Sequence, residues 1–254
     1  MDKSSTRRAA LVTGASYGVG AATALALARE GYAVAVSARR AETLNDTLTK
    51  LAAAGVRAVP LALDLCSQSS IERATADVVA AFGQLDLLVN NAGGDLRKLA
   101  LDVSWAEWDA VMDVNLRGTF FLSQAMGRHL MALGRSGAIV NIASTHGLVG
   151  AGERSTYGIS KGALIQMTRM LAIEWAECGI RVNAIAPGRL DTASPTRAAR
   201  TGDPSYMDAM RARIPLKRLA TVEEVAATVC YLASPRAASI TGQVLVLDGG
   251  LTVA

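Results

Sequence analysis

Seven short apolar runs of β character alternate with helical stretches along the whole chain, and that alternation limits the fold more than any other feature. The runs cover 9–12, 33–36, 58–63, 85–89, 138–142, 181–185 and 244–247; between them, 21–29, 42–53, 70–81, 105–131, 156–177 and 221–233 carry helical patterns. Strands separated by a helix run parallel, and a parallel sheet is covered on both faces, so its strands are apolar throughout. Ser104-x-x-Glu107 and Thr221-x-x-Glu224 have the spacing of capping boxes, which satisfy the orphan N–H groups that open a helix. The expectation is an α/β protein with a doubly wound parallel sheet of about seven strands flanked by helices. With 254 residues, 51% of them hydrophobic, there is enough for one large core, so residues 1–254 read as a single domain.

One segment departs from the pattern. From 189 to 215 the chain is polar, contains Pro195, Pro204 and Pro215, and shows no sustained period. Connections of that length are uncommon unless they serve a function. This one is expected to be a lid over a site.

The first run leads into Thr13-Gly14-Ala15-Ser16-Tyr17-Gly18-Val19-Gly20 and then into an Ala/Leu helix. Glycines after a first strand allow a tight turn and let a pyrophosphate approach N–H groups at the helix N-terminus. The spacing G-x-x-x-G-x-G differs from the usual dinucleotide fingerprint but still favours a nucleotide, with Gly14, Ser16, Tyr17, Gly18, Val19 and Gly20 as contacts. The same residues satisfy G-x-S-x-G, the elbow that presents a hydrolase serine, so a serine hydrolase using Ser16 is the remote alternative. That chemistry needs an acid and then a histidine; the chain has only His129, within a helical stretch, and His146. The second run ends in Ser37-Ala38-Arg39-Arg40. An acidic residue here would bind a ribose 2′-hydroxyl, whereas arginine accommodates a 2′-phosphate. Arg39 therefore favours NADP(H) over NAD(H), the plain alternative being that both arginines are solvated. Asp64-Leu65, after the third run, is placed to meet the adenine, although Asp64 can equally form a turn.

Tyr157-Gly-Ile-Ser-Lys161 falls on a helical stretch, where residues four apart share a face. A phenol with an ordinary pKa of about 10 trades protons near neutrality only when neighbouring positive charge favours the phenolate. Lys161 is placed to supply that charge, and Ser144 stands thirteen positions before Tyr157. Alone, such a pair is ordinary on amphipathic helices. Its setting gives it weight.

In order along the chain, the turn at 13–20, Asn90-Asn91-Ala92-Gly93, Asn115, Ser144, Tyr157-x-x-x-Lys161 and Pro187-Gly188 resemble the single-domain short-chain dehydrogenase/reductase family. The match continues to Asp248-Gly249-Gly250, almost the whole chain. The resemblance implies a Rossmann-like fold and a nicotinamide-dependent oxidoreductase acting on CH–OH groups. It also implies a catalytic set of Asn115, Ser144, Tyr157 and Lys161. Tyr157 would be the general acid/base, and Lys161 would hold the nicotinamide ribose and lower the phenol's pKa. Ser144 would bond the substrate oxygen, while Asn115 would interrupt its helix and hold a water linked to Lys161. Asn91, Ala92 and Gly93 would line the cofactor, with Asn90 tying neighbouring strands. Pro187, Gly188, Leu190 and Thr192 correspond to the segment around the nicotinamide carboxamide, where Thr192 would bond the amide or cap a helix. Family members are often tetramers, built through the helix bearing Tyr157 and the last strand, so a homotetramer is expected. A non-catalytic NADP(H)-binding regulatory protein is the other reading of such a fold; retention of all four catalytic positions speaks against it.

Within the family the general look is that of 3-oxoacyl-carrier-protein reductases, through Pro215-Leu-Lys-Arg-Leu219 and Ile240-Thr-Gly242. Those enzymes commonly place an arginine before the glycine of Gly179-Ile-Arg-Val-Asn183 to dock the acidic carrier; Cys178 stands there, which argues against such docking. The expected substrate is a small molecule: a polar ketone, a sugar or polyol, or a 3-oxoacyl compound. His146, with Glu153 and Arg154 nearby, either faces it or is a solvated loop residue. The 26 basic and 22 acidic residues are scattered, giving +4 without a block of one sign, so neither a nucleic acid nor a membrane is an expected partner. Cys66, Cys178 and Cys230 lack metal-ligand spacing, and no metal is expected. Ser5-Thr-Arg-Arg8 looks like a twin-arginine signal, but glycines interrupt the apolar run behind it, and a cytoplasmic location is expected.

Overall fold

The computed structural model describes residues 7–191 and 204–254. All seven apolar runs become strands: β1 (Ala9–Thr13), β2 (Ala33–Ala38), β3 (Ala58–Ala62), β4 (Leu87–Asn90), β5 (Gly137–Ile142), β6 (Ile180–Pro187) and, after two short strands β7 (Leu190–Asp191) and β8 (Ala220–Thr221), β9 (Val244–Leu247). The sheet is parallel, in the order β3-β2-β1-β4-β5-β6-β9. From β1 the chain first winds outward through β2 to β3, then returns to β4 on the other side. That reversal is where open α/β sheets bind ligands, outside the carboxyl ends of the strands.

Helices α1 (Gly18–Arg29), α2 (Asn45–Ala53), α3 (Gln68–Phe82), α4 (Trp105–Met112), α5 (Thr119–Ala132) and α6 (Ser155–Trp175) are followed by helices Pro204–Ala212 and Val222–Ala233. Alternate strand residues serve two cores. Leu11, Leu88, Ile139 and Val182 pack with Val78, Met126 and Leu164 of α3, α5 and α6. Val12, Val36, Val89 and Val140 pack on the opposite face with Leu27, Leu51 and Val229. Each such fully buried side chain contributes about 1.5–3 kcal/mol relative to exposure, which pins the register of every strand. Both expected capping boxes are present, Ser104 with Glu107 and Thr221 with Glu224.

Three local expectations change. The first helix opens at Gly18 instead of 21, so the last two glycines of the turn lie in its first turn. The stretch 105–131 is not one regular helix: Asp113–Gly118 form a π-helical turn between α4 and α5. Within 189–215, read as lacking regular structure, β7 pairs with β8 and Pro204–Ala212 is helical. The proline that opens this helix reads as a breaker, yet it fits at the first position, where a backbone N–H would have no helical partner. The remainder of the expected lid, 192–203 with Thr192, lies outside the described residues. No described helix is long and apolar enough to cross a membrane.

Candidate active site

The carboxyl ends of β1, β4, β5 and β6 open onto a cleft of about 1090 Å³. At one end is the glycine turn. Gly14 and Gly18 have φ of 64° and 60°, in the left-handed region where a side chain is strained. A Cβ on Gly14 would meet Ala92 Cα at 2.8 Å, and one on Gly20 would run into the Gly14 carbonyl and lie 2.6 Å from Asn91 Nδ2. Helix α1 starts from Tyr17 in extended backbone with no side-chain cap, which leaves its first N–H groups for a ligand.

Buried side chains fix this turn. Thr13 Oγ1 donates to Val89 O at 3.3 Å and accepts from the N–H groups of Asn91 and Ala92 at 2.9 and 3.0 Å. Asn91 Nδ2 donates to the carbonyls of Thr13 and Gly14, each at 2.9 Å. Thr47 Oγ1, from α2, donates to Ala15 O at 2.8 Å. Asn90 instead bonds Ser123 Oγ and Asn141 Oδ1 at 2.9 and 2.8 Å, tying β4 to β5 as expected.

Of the nucleotide contacts expected from sequence, Gly14, Ser16, Tyr17, Gly18, Val19, Arg39, Asp64, Leu65, Asn91, Ala92, Gly93, Pro187, Gly188 and Leu190 line the cleft. Gly20 does not; it lets α1 press against the turn. Arg39 is exposed and has no partner among the described residues, whereas Arg40 stands 3.9 Å from Glu42. Asp64 satisfies both of its readings, since it lines the cleft while its Oδ1 accepts from Cys66 N at 2.9 Å. Ser16 has no hydrogen bond to a histidine among the described residues, so nothing there activates it as a hydrolase nucleophile. A glycine turn packed closely on main chain, an uncapped helix start and an arginine with no partner among the described residues suit a phosphorylated dinucleotide.

At the other end Ser144 follows β5 and is 8% exposed. Its Oγ accepts from His146 N at 3.2 Å. Tyr157 and Lys161 stand in the first two turns of α6. Lys161 is buried, donates from Nζ to Ile142 O at 2.8 Å, and lies 5.8 Å from the centroid of the Tyr157 ring. Burial pushes its pKa down to about 8, against a weaker opposing pull from Asp95. Asn115 sits in the π turn behind the cleft wall. Its Oδ1 accepts from Gly94 N at 2.7 Å, and its Nδ2 donates to Gly94 O and Ser160 Oγ, both at 2.9 Å. Ser160 in turn donates to Tyr157 O at 2.7 Å. The helix interruption expected at Asn115 is thus present, and it clamps the Gly94 peptide to α6.

The loop carrying Ser144 lies close on α6 because glycines face each other: a Cβ on Gly147 would meet Lys161 C at 2.7 Å, and one on Gly158 would meet His146 O at 2.9 Å. His146 packs edge-on against Tyr157, with ring centroids 6.2 Å apart. Burial, then Arg154 and Arg189, hold its pKa below the ordinary value, with Asp95 opposing. Sequence reading missed Thr13, Thr47, Asp95, Arg97, Ser160, Met210 and Leu251. Asp95 directly follows the Asn-Asn-Ala-Gly-Gly stretch and Ser160 precedes Lys161, so proximity to those motifs was an available signal. Met210 and Leu251 reach the cleft through tertiary folding alone.

Fold and cleft together define a dinucleotide-binding α/β protein. A family profile described as enoyl-(acyl carrier protein) reductase matches residues 14–252. A cis-4-hydroxycyclohexanecarboxylate dehydrogenase from Sinomonas cyclohexanicum is 40% identical over 253 residues, 99% of each chain. Among solved structures, a protein from Sinorhizobium meliloti provisionally assigned as a short-chain alcohol dehydrogenase superposes with a TM-score of 0.93 at 41% identity, covering 97% of both chains. Another, from Agrobacterium tumefaciens, provisionally assigned as a 2-deoxy-D-gluconate 3-dehydrogenase and holding NADP, gives 0.88 at 40% identity, again over 97% of each chain. The chain belongs to the short-chain dehydrogenase/reductase family and is an oxidoreductase of alcohol and ketone groups.

Proposed function

We propose that this protein transfers hydride between NADP(H) and the carbonyl or secondary alcohol of a small polar molecule, using Ser144, Tyr157 and Lys161 with Asn115 in support. The observation that carries this reading is Lys161, 4% exposed, with a carbonyl and a phenol ring as neighbours and no ion pair among the described residues. A buried unpaired ammonium is costly, and such groups are retained where their charge is used. The nicotinamide, when bound, supplies or accepts the hydride. Ser144 donates to the substrate oxygen and fixes it beside the phenol. Tyr157 gives its proton to that oxygen in reduction and takes it back in oxidation, while Lys161 stabilises the phenolate and holds the ribose hydroxyls. The amide of Asn115 is engaged by Gly94 and Ser160, so a water linked to Lys161 would rest on the main chain of the π turn.

Arg39 at the end of β2 supports NADP(H) over NAD(H), as does the NADP held by the Agrobacterium relative. Thr192 is assigned to the carboxamide by its place after Leu190. Exposed Ile159, Met170 and Ile173 on α6, with Val246 on β9, support a homotetramer assembled through those elements. Free thiols at Cys66, Cys178 and Cys230 fit a reducing cytoplasm.

The test is a panel of ketones and secondary alcohols with each nicotinamide cofactor, read at the nicotinamide absorbance. NADPH should be preferred, and Arg39→Ala should cut that preference about 10-fold or more through loss of a charge-assisted contact. A strong NADH preference overturns the role of Arg39. Tyr157→Phe should lower kcat by about 10²- to 10⁴-fold with cofactor affinity little changed; equal activity overturns the mechanism. Cofactor binding without turnover of any compound would leave the regulatory protein as the reading. Sedimentation of the holoenzyme tests the tetramer.

A further inference from the structure

Beside the reacting groups, the cleft wall carries an arginine that the chemistry above leaves idle. Arg154 immediately precedes α6, three residues before Tyr157, and its side chain is 21% exposed. It lines the same cleft as Ser144 and Tyr157. Its Nη1 is paired with Asp95 Oδ1, and that is its one hydrogen bond among the described residues, leaving its other N–H donors open. Asp95 is 54% exposed, so the pair is a weak one that an incoming anion can replace.

The surroundings favour an anion. Among the described charged residues that line the cleft, Arg39, Arg40, Arg97, Arg154, Lys161 and Arg189 stand against two carboxylates, Asp64 and Asp95. Arg97 is held at 2.6 Å by Glu153, which lies outside the lining, and Lys98 N donates to Glu153 O at 3.0 Å, joining the two loops. A cleft in which one sign of charge predominates concentrates ligands of the other, and the planar fork of arginine matches a carboxylate with two parallel bonds.

We infer that the substrate carries a carboxylate, gripped by Arg154 as Asp95 releases it, so that the protein acts on hydroxy acids and keto acids. This rests on the oxidoreductase reading above. Arg154 is a specificity residue here, and Asp95 holds its guanidinium in place until the substrate arrives.

The experiment compares 4-oxopentanoate and 5-oxohexanoate with their methyl esters, using the intact protein and NADPH. For the native protein, kcat/KM should favour the acid at least about 10-fold, the worth of one charge-assisted contact, and added salt should shrink the difference through KM. In Arg154→Leu the acid-to-ester ratio should fall about 10- to 100-fold, mainly in KM, and Arg154→Lys should restore part of it. Asp95→Asn should lower KM for the acid. Equal use of acid and ester by the native protein, or an unchanged ratio in Arg154→Leu, overturns the carboxylate assignment while neutral ketones that turn over leave the oxidoreductase reading intact. No turnover of any ketone with either cofactor overturns both.

Discussion

At the nucleotide end of the cleft the walls are main chain, with Gly14 and Gly20 pressed against Ala92 and Asn91 and the turn tied by the buried hydroxyls of Thr13 and Thr47. At the substrate end they are charged side chains on loops, Asp95 with Arg154 and Arg97 with Glu153, each side chain 21–54% exposed. The first construction tolerates no added carbon at Gly14 or Gly20, since the contacts there are to backbone, to Ala92 or to a fully engaged amide. The second can be rewritten cheaply, because half-exposed ion pairs contribute about 0–1 kcal/mol to stability. On the proposed assignment of the two ends, one is held fixed for the cofactor and the other is free to change substrates.

Lys161, at the junction of the two, should give the largest effects. Lys161→Met is expected to lower kcat/KM about 10³-fold or more, since it removes the charge beside the phenol and, on the proposed mechanism, a hold on the cofactor. Its titration also has a sign. Burial lowers the pKa from 10.5 to about 8, so below pH 8 the ammonium is charged in both folded and unfolded chains and its desolvation cost is fully present. Between pH 8 and 10.5 the unfolded chain holds a proton that the folded one has shed, so stability contributed by this group rises with pH across that window. Denaturant titrations of the cofactor-free protein should show the native chain gaining on Lys161→Met from pH 8 upward, and parallel curves would rule the burial effect out. Ketone reduction should decline over the same range as the phenolate loses its neighbouring charge.

The contrast between the ends can be tested directly with two alanines. Gly20→Ala should destabilise by about 1–3 kcal/mol and weaken cofactor binding, as overpacking against backbone does. Gly152→Ala, on the loop before Tyr157 with nothing within 4 Å of the added carbon, should stay within about 0.5 kcal/mol. Similar melting temperatures for the two would break the comparison. Between those two falls Thr221→Ala, which removes the hydroxyl accepting from Glu224 N at 3.1 Å and should cost about 1 kcal/mol in thermal unfolding with kcat unaltered.

The strands were readable because a sheet buried on both faces demands uninterrupted apolar runs, and the nucleotide turn was readable because glycine is required at its positive φ. Asn115, Ser144, Tyr157 and Lys161 stood out through their order and spacing, and the structure brings Ser144, Tyr157 and Lys161 to one wall with Asn115 behind it. Helix Pro204–Ala212 went unseen because the proline that opens it reads as a breaker in a polar segment with prolines at 195 and 215. Met210, Leu251 and the pairing of Asp95 with Arg154 went unseen because they join segments far apart in the chain. No local pattern encodes such meetings.

The π turn at Asp113–Gly118 also sets the phase of helix α5. An α-helix turns about 100° per residue, and a π turn accommodates one residue more than an α turn, so α5 leaves this point rotated by about that step relative to a regular continuation of α4. Gly118 ends the turn flat against the Leu65 carbonyl, where no side chain fits. Downstream, Leu122, Met126 and Leu130 then meet the sheet while Ser123 reaches Asn90. Removing one residue from 113–118 would close the turn into a regular helix and leave the apolar stripe of α5 on the sheet, whereas a regular helix through all six residues would turn that stripe away by about 100°. The irregularity works as a frame-setting device written into the length of the chain.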